Sequence, residues 1–352
     1  AMSMADARHL KTDADVVIFG DIRPAGDQAD LSLRLYLRPQ YGADFTNMVG
    51  NYELTSRFPA FDVTDPREDV LRELRPLASA AVLVTLGLRQ EIIGEQAAAL
   101  ASFERAAVEA PDSDVIQYFL GQEHLYRAQR AESDEAELAA AETAFREALR
   151  LNPNNPRARI GLGSVGFLRA QRLLNEAEAR GAGEDPTALA AVREAAQVAL
   201  DDYTVVAVQG NQTETYGVPV AGIARVGRAI ALRLLAEVTY QDGDPATAET
   251  RIDEAAATLE SGADELATAN DPRLAAQTWQ ALGSIYEWRA FLLAERGATD
   301  ESAAARARAL DYYNDCVRQG EAFPIDTYMV ERIVQQLCAP RIEALQSSGG
   351  GG

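Results

Sequence analysis

One pattern constrains the fold of this chain more than any other: a spacing of small and large residues that recurs five times. In its plainest copy Leu86-Gly87 is followed by Ala99, Phe103, Ala106 and Pro111. A second copy reads Leu120-Gly121, Ala141, Phe145, Ala148 and Pro153, with eight extra residues placed around Arg130–Glu137. The third opens at Leu162-Gly163, its second helix expected over Pro186–Asp202 after a Gly-rich turn at Gly181–Gly183. The fourth is Leu235-Ala236, Ala248, Ile252 and Ala255. The fifth is Trp279-x-x-Leu282-Gly283-x-x-Tyr286, closing on Ala309, Tyr313 and Cys316 after a fourteen-residue extension.

The spacing has a physical meaning. Small residues let two antiparallel helices approach closely, and the large residue fills the hole between one pair and the next. A Pro or turn residue then ends the second helix. No single pair buries its apolar face alone, so neighbouring pairs must stack.

Trp279, Leu282, Gly283 and Tyr286 on a first helix, with Ala99, Phe103, Ala106 and Pro111 on a second, resemble the tetratricopeptide repeat. The resemblance covers residues 66–346 and implies a mostly α, helical-hairpin solenoid of about five repeats. The amphipathic segment Pro324–Leu345 is expected to cap it.

Residues 1–65 differ. Asp15–Gly20 is a short apolar run, Leu31–Leu37 alternates with period two, and Arg23–Asp27 is a turn cluster between them. This is a β-hairpin pattern, with a further strand expected near Tyr52–Thr55. With residues 4–12 read as a helix end, the segment is a partial α/β unit that resembles the TolB-like domain. Ala1–Met4 reads as a processing scar and residues 347–352 as a Ser/Gly linker, so the chain is read as a fragment of a longer protein.

Charge excludes several functions. The chain carries 33 Lys plus Arg against 54 Asp plus Glu, a net charge of −21, which disfavours nucleic acid and anionic membranes. No run of about 20 apolar residues is present. The chain holds one Lys (Lys11), so a Walker-type loop is impossible beyond it, and neither GxSxG nor HExxH occurs. Gly161–Gly166 satisfies GxGxxG but follows a helix-breaking turn and overlaps a repeat position, so it is read as helix packing. Cys316 and Cys338 are read as two small core residues without a disulfide, and His124 as a packed side chain. The carboxylates of Glu132–Glu137 and Glu249–Glu260 are read as solvated faces. No cofactor, metal or catalytic residue is expected.

In the tetratricopeptide family the first helix of each pair lines a groove. Counting from the Gly positions gives Val84 and Leu88; Val115, Tyr118, Gln122 and Leu125; and Arg157, Ile160, Ser164 and Phe167. It continues with Arg233, Glu237 and Tyr240, then Gln277, Gln280, Ser284 and Glu287. Tyr118, Gln122, Arg157, Phe167, Arg233, Tyr240 and Gln280 are the expected partner contacts, since Arg and aromatic side chains carry much interface energy. The expected function is non-catalytic recognition of a protein or peptide, within a bacterial multidomain regulator, with the cytoplasm the favoured compartment. Self-assembly as a homo-oligomer and small-molecule sensing are the alternatives. The irregular stretch Val208–Pro219 is read as a surface connection, with a plug in the groove or a partner contact as the alternatives.

Overall fold

The computed structural model describes residues 16–25, 28–37, 50–59, 67–130, 134–181, 185–209, 220–262, 272–322 and 329–348. The strands are β1 (Val16–Ala25), β2 (Gln28–Leu37) and β3 (Gly50–Pro59). They form one antiparallel sheet in the order β1-β2-β3. Register places Leu33 opposite Leu54 and Leu35 opposite Tyr52, and all four side chains are buried. The alternate face carries charge: Arg34 pairs with Asp21 at 2.9 Å and with Glu53 at 3.1 Å. One apolar face and one charged face follow directly from the period-two pattern. The expected helix over residues 4–12 lies outside the described residues.

The helices are α1 (Arg67–Ile92), α2 (Gln96–Glu109), α3 (Asp114–Arg130), α4 (Glu135–Leu151) and α5 (Pro156–Ala179). They continue with α6 (Pro186–Gln209), α7 (Val220–Gln241), α8 (Pro245–Glu260), α9 (Pro272–Glu295) and α10 (Thr299–Ala322). A π-helical segment, Met329–Cys338, runs into α11 (Ala339–Ser348). The chain forms two compact units. The first holds the sheet and the chain through Leu162, and the second runs from Gly163 to α11. The sheet therefore shares a unit with the first hairpins.

In the first unit α1 packs on α2, α2 on α3 and α3 on α4; in the second, α7 packs on α6 and α8, and α9 on α8 and α10. This is the helical-hairpin stacking that the repeat pattern demands. Its small-to-large logic is visible atom by atom. The buried Phe145 ring lies between Gly121 of its own hairpin and Gly161 of the next first helix. Cβ atoms at those glycines would stand 2.7 and 2.4 Å from ring carbons. Tyr203 lies in the same way against Gly163 and Gly227, and Tyr313 against Gly283. Each of these rings needs a missing side chain opposite it.

The turns inside the hairpins repeat as well. Gly94, Gly243 and Gly297 have φ of 81°, 86° and 81°, and nothing would crowd a Cβ at any of them. Each donates its N–H to a carbonyl three residues back, while the next residue bonds five back. This Schellman arrangement uses the left-handed backbone, which is why glycine stands there. Asp134 and Asp244 then cap α4 and α8 by accepting backbone N–H groups.

The extra residues of the stretched repeats are helix, not loop. Where α1 runs five residues past Gly87, α3 runs nine past Gly121, α9 twelve past Gly283 and α5 sixteen past Gly163. The partner helices lengthen to match, so the hairpins grow by about one, two and three turns of 3.6 residues on each side. Matched whole turns keep every side chain on its original face.

Several expectations are corrected. The second helix of the third repeat extends beyond Asp202 to Gln209, and its buried signature is Ala199, Tyr203 and Val206. Val208 and Gln209 accordingly end α6, while 210–219 lies outside the described residues. Ser347 and Ser348 close α11 rather than opening a linker. Residues 349–352 lie outside the described residues. Cys316 and Cys338 form a disulfide with Cα atoms 6.4 Å apart. Sequence missed it because the two lie 22 residues apart on different helices. The acidic side of α8 is ion-paired, not merely solvated. Glu249 meets Arg296 at 3.0 Å, Asp253 meets Arg289 at 3.1 Å, Glu260 meets Arg308 at 2.9 Å, and Glu254 also pairs with Arg228.

Candidate functional site

The expected groove has two different fates. In the first unit it is filled. β2 and β3 pack on α1, and β3 packs on α3. Val84, Leu88, Val115, Tyr118, Gln122, Leu125, Arg157 and Ile160 are all buried. Tyr52 of β3 sits over Tyr118 at 6.1 Å and Phe119 at 4.7 Å between ring centroids. Arg157 donates to the Tyr52 hydroxyl at 2.6 Å and lies 4.7 Å from its ring centroid. Burial pushes the Tyr52 hydroxyl well above its ordinary pKa, although the Arg157 charge opposes it. Tyr118, Gln122 and Arg157, expected as partner contacts, are thus interior. The apolar face of the sheet covers these positions.

The same unit holds a buried carboxyl pair. Glu91 bonds Arg130 at 2.9 Å, and Glu123 is fully buried beside Glu91. Desolvation, reinforced by the Glu91 charge, raises the Glu123 carboxyl well above the usual carboxylate range, to about 8. His124 contacts the Glu137 carboxylate through Nδ1 at 2.7 Å, and Arg127 donates to the same carboxylate at 2.8 Å. Burial works against the charged form of Glu137, but those two bonds hold its pKa below the usual carboxylate value.

In the second unit the groove is open. A cavity of about 620 Å³ is lined by the first helices α5, α7 and α9, with the Tyr313 ring of α10 behind them and a wall from the C-terminal segment. Phe167 and Gln171 come from α5, and Ile230 and Arg233 from α7. Gln280, Ser284, Glu287, Trp288 and Phe291 come from α9, and Gln336, Leu337, Pro340 and Arg341 from the C-terminal segment. Of the seven expected contacts, Phe167, Arg233 and Gln280 meet here. Tyr240 stands behind them, its ring 5.1 Å from Phe291 and 6.3 Å from Trp288, with its hydroxyl donating to Glu295 at 3.2 Å.

The chemistry of the cavity is amphipathic. Trp288 and Phe291 pack edge to face at 5.3 Å, and Phe291 remains exposed. The polar side is amide-rich, with Gln171, Gln280 and Gln336. Arg233 pairs with Glu237 at 3.2 Å. Burial raises the Glu237 carboxyl despite that arginine. The Tyr313 hydroxyl donates to Glu287, and Arg341 approaches the same carboxylate at 3.8 Å. Burial, then the Glu287 charge, raises Tyr313 far above its ordinary value. The Ser284 hydroxyl is turned to the Ala281 carbonyl at 3.0 Å. Sequence reasoning missed Ile230, Trp288, Phe291 and the C-terminal wall. Trp288 and Phe291 lie on helix beyond the repeat signature, where the groove count stops.

The glycines of the GxGxxG match lie inside α5. Gly161 faces Phe145, Gly163 faces Tyr203, and Gly166 faces Ala195 and Ala199. None opens a helix toward a phosphate. Among the described residues no group of three His, Cys, Asp or Glu side chains is arranged for a metal, and no helix is long and apolar enough to cross a membrane.

No protein-family model and no curated protein sequence matches the chain. A solved structure described as "Functional Characterization of Pseudomonas Aeruginosa pilF" is similar at 14% identity, with a TM-score of 0.36, over 78% of this chain and 99% of that one. The chain's own helix packing carries the fold assignment.

Proposed function

We propose that this chain is a non-catalytic recognition module that binds an extended protein segment in the cavity of its second unit. The observation that carries the reading is convergence. Groove positions of three successive first helices, Phe167, Arg233, Gln280, Ser284 and Glu287, line one cavity with an aromatic wall. Trp288 and Phe291 suit a large apolar or aromatic anchor, the glutamines suit backbone amides, and Arg233 and Arg341 suit a flanking carboxylate. The volume fits one or two side chains with their backbone. The non-catalytic reading is supported by the polar groups already committed to each other, Ser284 to Ala281 and Glu287 to Tyr313.

The disulfide supports a compartment that oxidises thiols, in place of the cytoplasm favoured by sequence.

Blocked hexapeptides carrying Phe, Trp, Leu or Ala beside Asp, titrated against the full chain by Trp fluorescence, test the reading. Aromatic-anchored peptides are expected to bind, with Phe291→Ala weakening them at least fivefold without moving the thermal midpoint, and Arg233→Ala weakening those that carry Asp at least fivefold. Equal binding of the Ala peptides, or binding untouched by both substitutions, would overturn it.

A further inference from the structure

One wall of the cavity differs in kind from the rest. Gln336, Leu337, Pro340 and Arg341 belong to the last twenty described residues, not to a repeat hairpin. The segment packs on α9 and α10 through a small apolar set. Ile333, Val334, Cys338 and Leu345 are its buried apolar residues, and Val334 packs onto Gly320. Glu331, Arg332, Gln335, Gln336, Leu337 and Glu343 are exposed. Arg341 reaches Glu287 only at 3.8 Å and is itself mostly exposed, so that ion pair adds little. To this apolar contact is added one covalent link, Cys316 of α10 to Cys338. Cys338 falls between Leu337 and Pro340, in the middle of the wall, and both cysteines are fully buried.

We propose that the Cys316–Cys338 disulfide is the latch of this cavity: it holds the C-terminal segment against α9 and α10, so that the ligand site is complete only in the oxidised chain. This rests on the cavity being the ligand site, as proposed above. Formation of the bond takes two electrons and two protons from the two thiols and passes them to a disulfide partner, which leaves as two thiols. Reduction by a dithiol reverses the exchange, the dithiol leaving as its own disulfide. Because both sulfurs are enclosed, exchange requires the segment to lift first, and once reduced the segment is drawn back by non-covalent packing, with Ile333, Val334, Ile342 and Leu345 on the core, and no longer by the bond.

The test compares the full chain oxidised, reduced with dithiothreitol, and as Cys338→Ala and Cys316→Ala variants. Hydrogen exchange over 329–348 is expected to accelerate at least tenfold in the three bond-free forms, with 186–209 and 245–260 unchanged. In a Trp279→Phe background Trp288 reports the cavity, and its acrylamide quenching constant is expected to rise about twofold on reduction. Oxidised glutathione should restore both values in the chain with both cysteines. Aromatic-anchored hexapeptides should lose at least tenfold in affinity with the bond open. Unchanged protection of 329–348, unchanged quenching, or full peptide affinity without the bond would each overturn the proposal. If exchange and quenching respond while no peptide binds either form, the latch stands and the peptide reading falls.

Discussion

Substituting Gly161 by Ala tests the packing rule on which the fold rests. Taken alone, Ala should stabilise the interior of α5, since it exceeds Gly in helix propensity by about 1 kcal/mol. The structure predicts the opposite sign. The new Cβ would stand 2.4 Å from Cζ of Phe145 and 2.6 Å from two further ring carbons. Carbon atoms pack at about 3.5–4.0 Å, so the ring must retreat by roughly 1 Å. Gly121 closes its other side, where a Cβ would already lie 2.7 Å from the ring. Overpacking of a filled core costs about 1–3 kcal/mol, and this fully buried ring belongs at the upper end. Set against the propensity gain, a net loss of about 1–2 kcal/mol is expected. Native-state hydrogen exchange over 114–151 reads this as roughly a fivefold to thirtyfold acceleration. Phe145→Leu in the same chain should recover part of the loss, giving a coupling of about 1 kcal/mol or more in a double-mutant cycle. A Gly161→Ala chain that is more stable than its parent, or a cycle that is additive, would refute the reasoning.

Three further outcomes follow from the structure. Burial sets the folded pKa of Glu123 at about 8, above its ordinary unfolded value, so its contribution is intact below about pH 4.5 and is lost as pH rises toward 8. Glu123→Gln should therefore match the parent at pH 4.5 and exceed it in urea midpoint at pH 8.5, and parallel pH profiles would count against the buried pair. Arg157→Ala removes the partner of Tyr52 and should destabilise the first unit by about 3–5 kcal/mol, as for a broken buried ion, read by exchange over 50–59 and 114–130; unchanged exchange there would make Arg157 a surface residue. Gly243→Ala places a side chain at φ 86° and should cost about 1 kcal/mol in the α7–α8 turn, with a stabilised turn as the contrary result.

The hairpins were legible because their signature is local. Gly87 with Phe103 and Gly283 with Tyr313 can be found by counting, and the contacts follow. The third repeat defeated counting: its Ala199 lies thirty-six residues past Gly163, three turns of added helix on each side, although Tyr203 packs as the rule requires. The groove positions were legible as a face but not as an exposure. Whether Tyr118 or Arg233 meets solvent depends on what lies over it. The cover over Tyr118 is Tyr52, from a strand whose alternation says which face is apolar but not which helices it will meet. The C-terminal wall was hidden for a similar reason, since two cysteines on separate helices do not announce their pairing.

The matched lengthening of the hairpins has a consequence for how such a chain can change. A one-residue insertion in one helix would rotate everything beyond it by about 100° and bury the wrong face. Residues gained in both helices by whole turns leave the original core untouched and add new surface only at the far end. Gln171 and Phe291 stand on those added turns, and so part of the cavity wall is built from them. Trimming about seven residues, two turns, from each side of the α9–α10 turn should return that hairpin to the shorter repeat length, still folded, but without the ring at 291 that gives the cavity its aromatic edge. The lining of the cavity is then a property of hairpin length, adjustable in steps of one turn, while the core stays with the residues that the repeat shares.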